Sequence, residues 1–207
     1  MIRPFKSSDI TRCAVIVNKV WNLSSRFRPE SLSDLFLDYY TGGTLSASNF
    51  AVVAEEHNVV KGFLFGKCGN RNLIKTGYSG LSGKIKFLIQ LLFLRGVSMK
   101  KKWYYLKIAG EHEINRRKVE PERINEVNLF AVDPEAHGKG YGKLLMNSFI
   151  DYCKKENVSR ITLDTDGECN TGFYDHFGFK VKGTFDSPLQ KEYSGKSGLS
   201  IVYELKL

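Results

Sequence analysis

The sequence has no closely spaced pair of cysteines or histidines. Four cysteines (Cys13, Cys68, Cys153, Cys169) and four histidines (His57, His112, His137, His176) are scattered over 207 residues. A structural zinc site needs two short-spaced pairs of such ligands, so no metal is expected. The cysteines read as reduced thiols of a cytoplasmic protein, because disulfides belong to oxidising compartments. The N-terminal stretch Met1-Ile2-Arg3-Pro4-Phe5-Lys6 lacks the apolar region and cleavage pattern of a secretory leader. The longest apolar run, Phe87 to Leu94, is broken by Gln90 and followed by Arg95. It falls far short of the ~20 residues a membrane span requires. No internal repeat is visible.

What is present is the composition of one globular domain of somewhat above-average size. Hydrophobic residues make up 42% and charged residues 26%, with 14 Phe and 10 Tyr, enough large apolar side chains to offset the entropy of ordering. The net charge of +9 is unevenly placed. Between Lys61 and Arg123 there are 15 Lys plus Arg against 4 acidic residues, a local charge of +11, while the remainder carries −2. The positive field is therefore confined to the middle third.

Periodicity orders the chain as follows. Residues 2–5 form a first strand, and Ser8-Asp9 opens a helix with Ile10, Ala14, Val17 and Trp21 at helical spacing. Pro29-Glu30 opens a second helix, expected to close at Gly42-Gly43. Residues 49–55 and 59–67 make a hairpin about Glu56-His57-Asn58. Residues 69–121 read as a basic helical insertion, with Ile85, Leu88, Leu91, Leu92 and Leu94 in helical pattern. A strand over 124–132 has a near-continuous apolar end, as in a sheet covered on both faces. A helix over 140–157, a strand over 160–164, a short aromatic helix over 170–177 and strands over 179–185 and 200–205 complete the order, the last two joined by a polar loop. The mixture indicates an α/β or α+β sheet and excludes a bundle.

The chemistry concentrates in Val127-Asn128-Leu129-Phe130-Ala131-Val132-Asp133-Pro134-Glu135-Ala136-His137-Gly138-Lys139-Gly140-Tyr141-Gly142-Lys143. A strand is stopped by proline, followed by three glycines at every second position and an amphipathic helix. Such glycines let a backbone approach a ligand, and a helix start offers unpaired N–H groups to a phosphate or pyrophosphate. Lys139 and Lys143 add charge. The glycines alone also suit a plain strand-to-helix turn. The dinucleotide fingerprint G-x-G-x-x-G and the Gly-Lys-Ser/Thr phosphate loop are both absent.

This run resembles the acetyl-CoA-binding motif of the GNAT superfamily of N-acetyltransferases, Arg/Gln-x-x-Gly-x-Gly/Ala after a Val-x-Pro strand end. Here His137 stands in the Arg/Gln place, followed by Gly138, Lys139, Gly140, Tyr141 and Gly142. Because the family's loop holds pyrophosphate chiefly by main-chain N–H groups, the histidine is expected to be tolerated. Downstream, Phe173-Tyr174-Asp175-His176-Phe177-Gly178-Phe179 is similar to the family's Tyr-x-x-x-Gly-Phe segment.

The resemblance covers 124–185 well and the N-terminal elements more loosely. It implies a single domain over 1–207, a mixed, mostly antiparallel sheet flanked by helices, with the insertion at about 69–121. It implies an acetyl-CoA-dependent N-acetyltransferase working by direct transfer to a primary amine. Tyr174 matches the family position that often serves as acid to the departing thiolate, a phenol of pKa near 10 facing a thiol near ~8.5. Glu126 matches the glutamate that serves as base, directly or through water, and burial in a sheet is expected to raise its pKa. Main-chain groups of Phe130, Ala131 and Val132 would hold the pantetheine arm, joined by Asn170, whose spacing to Tyr174 is shorter than usual. His176 reads as a surface helix residue. The acceptor is not legible, since it depends on variable loops such as Asp186 to Gly198.

A non-catalytic acyl-CoA sensor or interaction module is the competing class. Nucleic acid is not expected as a partner, since no recognition module is visible. For the stretch Lys84-Ile85-Lys86-Phe87-Leu88-Ile89, docking on the domain's own core is preferred to a membrane-surface contact, because apolar helical stripes usually face a core. Monomer and homodimer both remain open.

Overall fold

The computed structural model describes residues 1–167, 171–194 and 197–207. Its centre is a seven-stranded sheet in the order β1-β2-β3-β4-β5-β7-β6. The strands are β1 (Ile2–Pro4), β2 (Phe50–Glu56), β3 (Val59–Lys67), β4 (Glu126–Val132), β5 (Arg160–Asp166), β6 (Lys180–Asp186) and β7 (Leu199–Lys206). Every neighbouring pair is antiparallel except β4 and β5, which run parallel. The hairpin joining β2 to β3 turns at His57 and Asn58, both left-handed (φ 50 and 61), the geometry a two-residue primed turn requires.

The strand period of two sends alternate side chains to opposite faces. Val53, Phe63 and Phe65 enter one core with α1 (Ile10–Trp21) and α3 (Glu30–Ser46). Val52, Ala54 and Leu64 enter the other with α6 (Tyr141–Lys155). Phe149 of α6 is fully buried against Gly66, where a Cβ would lie 2.5 Å from its ring. Phe149→Ala would cost about 3–5 kcal/mol at such a site.

Three features depart from the sequence expectation. α3 does not stop at Gly42-Gly43 but runs through both to Ser46. A Cβ at Gly42 would fall 2.6 Å from the Tyr78 ring, so that glycine serves packing and not termination. The segment expected as a polar loop between the last strands contains a helix, α8 (Pro188–Ser194), and a further short helix, α2 (Leu23–Arg26), precedes α3. α7 (Thr171–His176) follows β5.

The insertion is helical as expected, with α4 (Gly80–Phe93) and α5 (Met99–Val119). Phe87, Leu91, Tyr105 and Ile108 join the first core. The C-terminal end of α5 is tied to the sheet by ion pairs. Buried Glu120, just after α5, accepts from Lys182 Nζ at 2.6 Å and from Arg160 Nη1 at 3.1 Å.

Candidate active site

β4 carries one extra residue opposite β3. Phe65 pairs with Leu129 and Gly66 with Val127, which leaves Asn128 as a bulge. The bulge reverses the side-chain alternation, so Val127 enters one core and Leu129 the other. The Asn128 amide is pinned by donating to Ser48 Oγ at 2.8 Å. On its other side β4 pairs with β5 only at Glu126↔Thr162 and Val127↔Leu163. Beyond that point the two parallel strands part.

The divergence leaves a free strand edge. Asp133 N–H donates to Lys61 O on β3, so by alternation the main-chain groups of Ala131 also face β3, while those of Phe130 and Val132 face the opening. A cleft of about 710 Å³ occupies this space. Its walls include Phe130, Ala131 and Val132 of β4, Leu163, Asp164 and Thr165 of β5, Phe173 and Tyr174 of α7, and Trp21 and Tyr40 of α1 and α3.

At one end of the cleft the chain turns into α6. Gly138 and Gly140 adopt φ +77 and +79 with open space where a Cβ would stand, conformations that cost most side chains about 1–2 kcal/mol. Gly140 is the N-cap and no side chain caps the helix, so the first N–H groups of α6 have no partner within it. Leu144 N–H makes the bond back to Gly140 O. The positive helix end and these donors together suit an anion.

The expected loop residues divide there. His137, Gly138, Gly140, Tyr141, Gly142 and Lys143 line the cleft. Lys139 turns away to pair with Glu56 at 3.0 Å. His137 Nε2 lies 3.2 Å from Val132 O, and since a carbonyl only accepts, that nitrogen carries the proton. Gly142 is held close under two stacked rings, with its Cβ position 3.2 Å from Phe173 and 3.4 Å from Phe130. On the far side of Lys143 a smaller cleft of about 450 Å³ is bordered by Lys143, Lys154 and Lys206. Asn170 lies outside the described residues.

The catalytic candidates are placed unequally. Tyr174 lines the cleft and packs against Phe173 and Tyr203, with ring centroids 5.4 Å away in both cases. Glu126 is buried behind the wall. Its Oε1 accepts from Arg116 Nη2 at 2.5 Å and from Arg123 Nη1 at 3.0 Å, while its Oε2 is enclosed without a hydrogen-bond partner among the described residues. Burial is the largest influence and pushes this carboxyl up; the guanidiniums of Arg123 and Arg116 oppose it.

Three residues near the site were not legible as functional in the sequence. Asp164 faces the cleft and accepts from Arg116 Nε at 3.2 Å. His112, on α5, lies with Nε2 4.0 Å from Asp164 Oδ2 and Nδ1 2.8 Å from Ser187 Oγ. Desolvation holds its imidazole below the ordinary value, hence neutral near pH 7. Arg116 itself comes from the insertion and is wholly buried. The available signal was Asp164 directly after Leu163 on a strand whose only apolar residues are Ile161 and Leu163; nothing local marked His112 or Arg116.

The acetyltransferase (GNAT) family model matches residues 17–179. No curated protein matches the chain. Among solved structures the chain is similar to Ard1 from Thermoplasma volcanium, at 17% identity and TM-score 0.54, covering 100% of this chain and 97% of that one. It is similar to ribosomal-protein-alanine N-acetyltransferase from Brucella melitensis, at 13% identity and TM-score 0.54, with 100% and 99% covered. A third is yncA from Salmonella typhimurium, described with its cofactor acetyl-CoA, at 15% identity and TM-score 0.54, with 100% and 93% covered. At such identities these likenesses establish the fold, a mixed sheet flanked by helices. The family match spans well over half of the sequence, and with it the chain belongs to the GNAT acetyltransferase family, as an acyltransferase of that type.

Proposed function

We propose that this enzyme moves the acetyl group of acetyl-CoA directly to a primary amine, and that the amine is cationic in solution. One observation carries the proposal: β4 parts from β5 after Val127 directly before the uncapped start of α6. A free strand edge followed by a glycine-lined anion site suits a ligand with an amide-bearing arm and a diphosphate. Acetyl-CoA supplies an acyl group already activated as a thioester.

The chain's own groups have the following roles. Phe130 and Val132 pair through their main chains with the pantetheine arm, in the manner of an added strand. The N–H groups of Gly138 to Gly142 and the Lys143 ammonium hold the diphosphate, Lys139 contributing through its backbone. His137 steadies the strand end through Val132 O. Phe173 closes over Gly142.

Asp164 is the acidic residue among the described residues that line the cleft, and Trp21 and Tyr40 line it too; a carboxylate and aromatic rings in one cleft favour a cationic acceptor. Glu126, its basicity raised by burial and its Oε2 without a hydrogen-bond partner among the described residues, accepts the ammonium proton relayed by water from the cleft, since the carboxyl itself is sealed behind the wall. The amine nitrogen bonds to the acyl carbon as the carbon–sulfur bond breaks, the Tyr174 hydroxyl protonates the leaving sulfur, and the second proton that the nitrogen loses as the amide forms restores the phenol.

The experiment is thiol release from acetyl-CoA with a panel of primary amines, wild type against Tyr174→Phe. Turnover with at least one amine is expected, reduced about 10²–10⁴-fold in the variant. Acetyl-CoA binding with no turnover for any amine would instead favour a sensor.

A further inference from the structure

We propose that the outer face of α4, together with the start of α5, docks on the surface of an anionic lipid bilayer. The observation is that α4 has two apolar faces. Gly83, Phe87 and Leu91 point inward and are buried, Phe87 and Leu91 in the first core. Leu81, Ile85, Leu88, Ile89, Leu92 and Phe93 are exposed. At 100° per residue this second set forms one stripe centred nearly opposite the buried one. The docking expected from the sequence is therefore present and accounts for only two of the helix's eight large apolar side chains.

The exposure is large. Phe93 is 81% and Leu81 73% accessible, and Trp103 on the first turns of α5 is 63% accessible. Scattered single apolar side chains on a surface are ordinary, but a contiguous set of this kind marks an interaction site. The face is also held rigid. The buried Lys102 ammonium of α5 donates to Leu92 O at 2.6 Å and Leu94 O at 2.8 Å, fastening the C-terminal end of α4 to α5.

Charge selects the occupant. No Asp or Glu occurs between Glu56 and Glu111. Lys84 and Lys86 flank the stripe on its two sides at helical spacing, and Arg95 and Lys100 continue it beyond the end of α4, all of them exposed. A second copy of this chain would bring like charge against like charge. Nucleic acid would satisfy the cations and leave the aliphatic stripe in water. An anionic bilayer satisfies both, with the apolar stripe at the acyl boundary, cations among the headgroups and an indole at the interface. At 14 residues, or about 21 Å, α4 lies in the plane of the surface; no described helix is long and apolar enough to cross a membrane. The proposal goes beyond the transfer reaction and does not depend on it.

The test is co-sedimentation of the full chain with phosphatidylcholine vesicles, with and without phosphatidylglycerol. Binding to the anionic vesicles is expected, weakened by salt and reduced at least about tenfold in Ile89→Gln/Phe93→Gln. Acetyl-CoA binding by that variant should match wild type, showing that the fold is intact. No binding to anionic vesicles overturns the proposal, as does binding that the double substitution leaves unchanged. A dimer that the same substitutions dissociate, without lipid binding, assigns the face to self-association instead.

Discussion

Arg116 Nη2 lies 2.5 Å from Glu126 Oε1, and both side chains are sealed from solvent. The same guanidinium reaches Asp164 Oδ1 at 3.2 Å. A residue of the insertion thus joins the carboxylate behind the cleft to the one that faces it. A buried pair of this kind adds little net stability over apolar replacements, but removing one partner strands a charge. Arg116→Met is expected to cost about 3–5 kcal/mol in urea unfolding. Arg116→Met/Glu126→Gln should recover a substantial part, and failure to recover would show that the two residues are not coupled.

The pH dependence of turnover follows from Glu126, whose carboxyl is pushed up to about 7, with burial as the largest cause. A base works when deprotonated, so kcat/KM should rise with pH through a limb near that value. Glu126→Gln should lower kcat about 10²-fold or more and abolish the limb. Asp164→Asn should raise KM for the amine with the limb retained. If the limb survives in Glu126→Gln and vanishes in Asp164→Asn, the roles are reversed.

Stability should respond to pH in two opposed ways. Glu126, raised above its ordinary 4.5, makes the native state bind the extra proton between that value and about 7. Its contribution is present below 4.5 and is lost as pH rises through 7. His112, held below 6.5 by desolvation, has the native state binding fewer protons, so its contribution is lost as pH falls below 6.5. Denaturant midpoints measured against pH should therefore show a shallower acid-side loss in His112→Gln than in wild type.

The glycine loop separates backbone from side-chain effects. Gly140→Ala meets no neighbour within 4 Å but must hold φ +79, so it should weaken acetyl-CoA binding through about 1–2 kcal/mol of strain. Gly140→Asn, which tolerates that region, should be milder. Gly142→Val should act differently, by displacing the Phe130–Phe173 stack. Calorimetric affinities for the three variants order these effects, and equal losses for Gly140→Ala and Gly140→Asn would remove the backbone argument.

Most of the residues that line the cleft were legible as candidates because they are local in sequence. The strand end, the glycines at 138, 140 and 142 and the Tyr174 segment lie within one contiguous stretch, and each leaves a pattern of spacing. On the acid–base side the sequence offered Tyr174 and Glu126 as candidates and none of the groups around Glu126. Its partners come from 38 residues further on, at Asp164, and from the insertion, at Arg116 and His112, whose helix shows no apolar stripe to indicate which side turns inward. Gly42 misled for a related reason: termination and close packing both select glycine, and only the position of Tyr78 distinguishes them. The bulge at Asn128 has no sequence signature, because it exists only relative to the register of β3.

The central claim is that acetyl-CoA lies along the free edge of β4 and against the start of α6. Amide hydrogen exchange with and without acetyl-CoA tests it most directly. The account predicts new protection at Phe130 and Val132 and across Gly138 to Gly142, with the outward face of α4 unchanged. Protection confined to the smaller cleft around Lys154 and Lys206, or no change along β4, would contradict it.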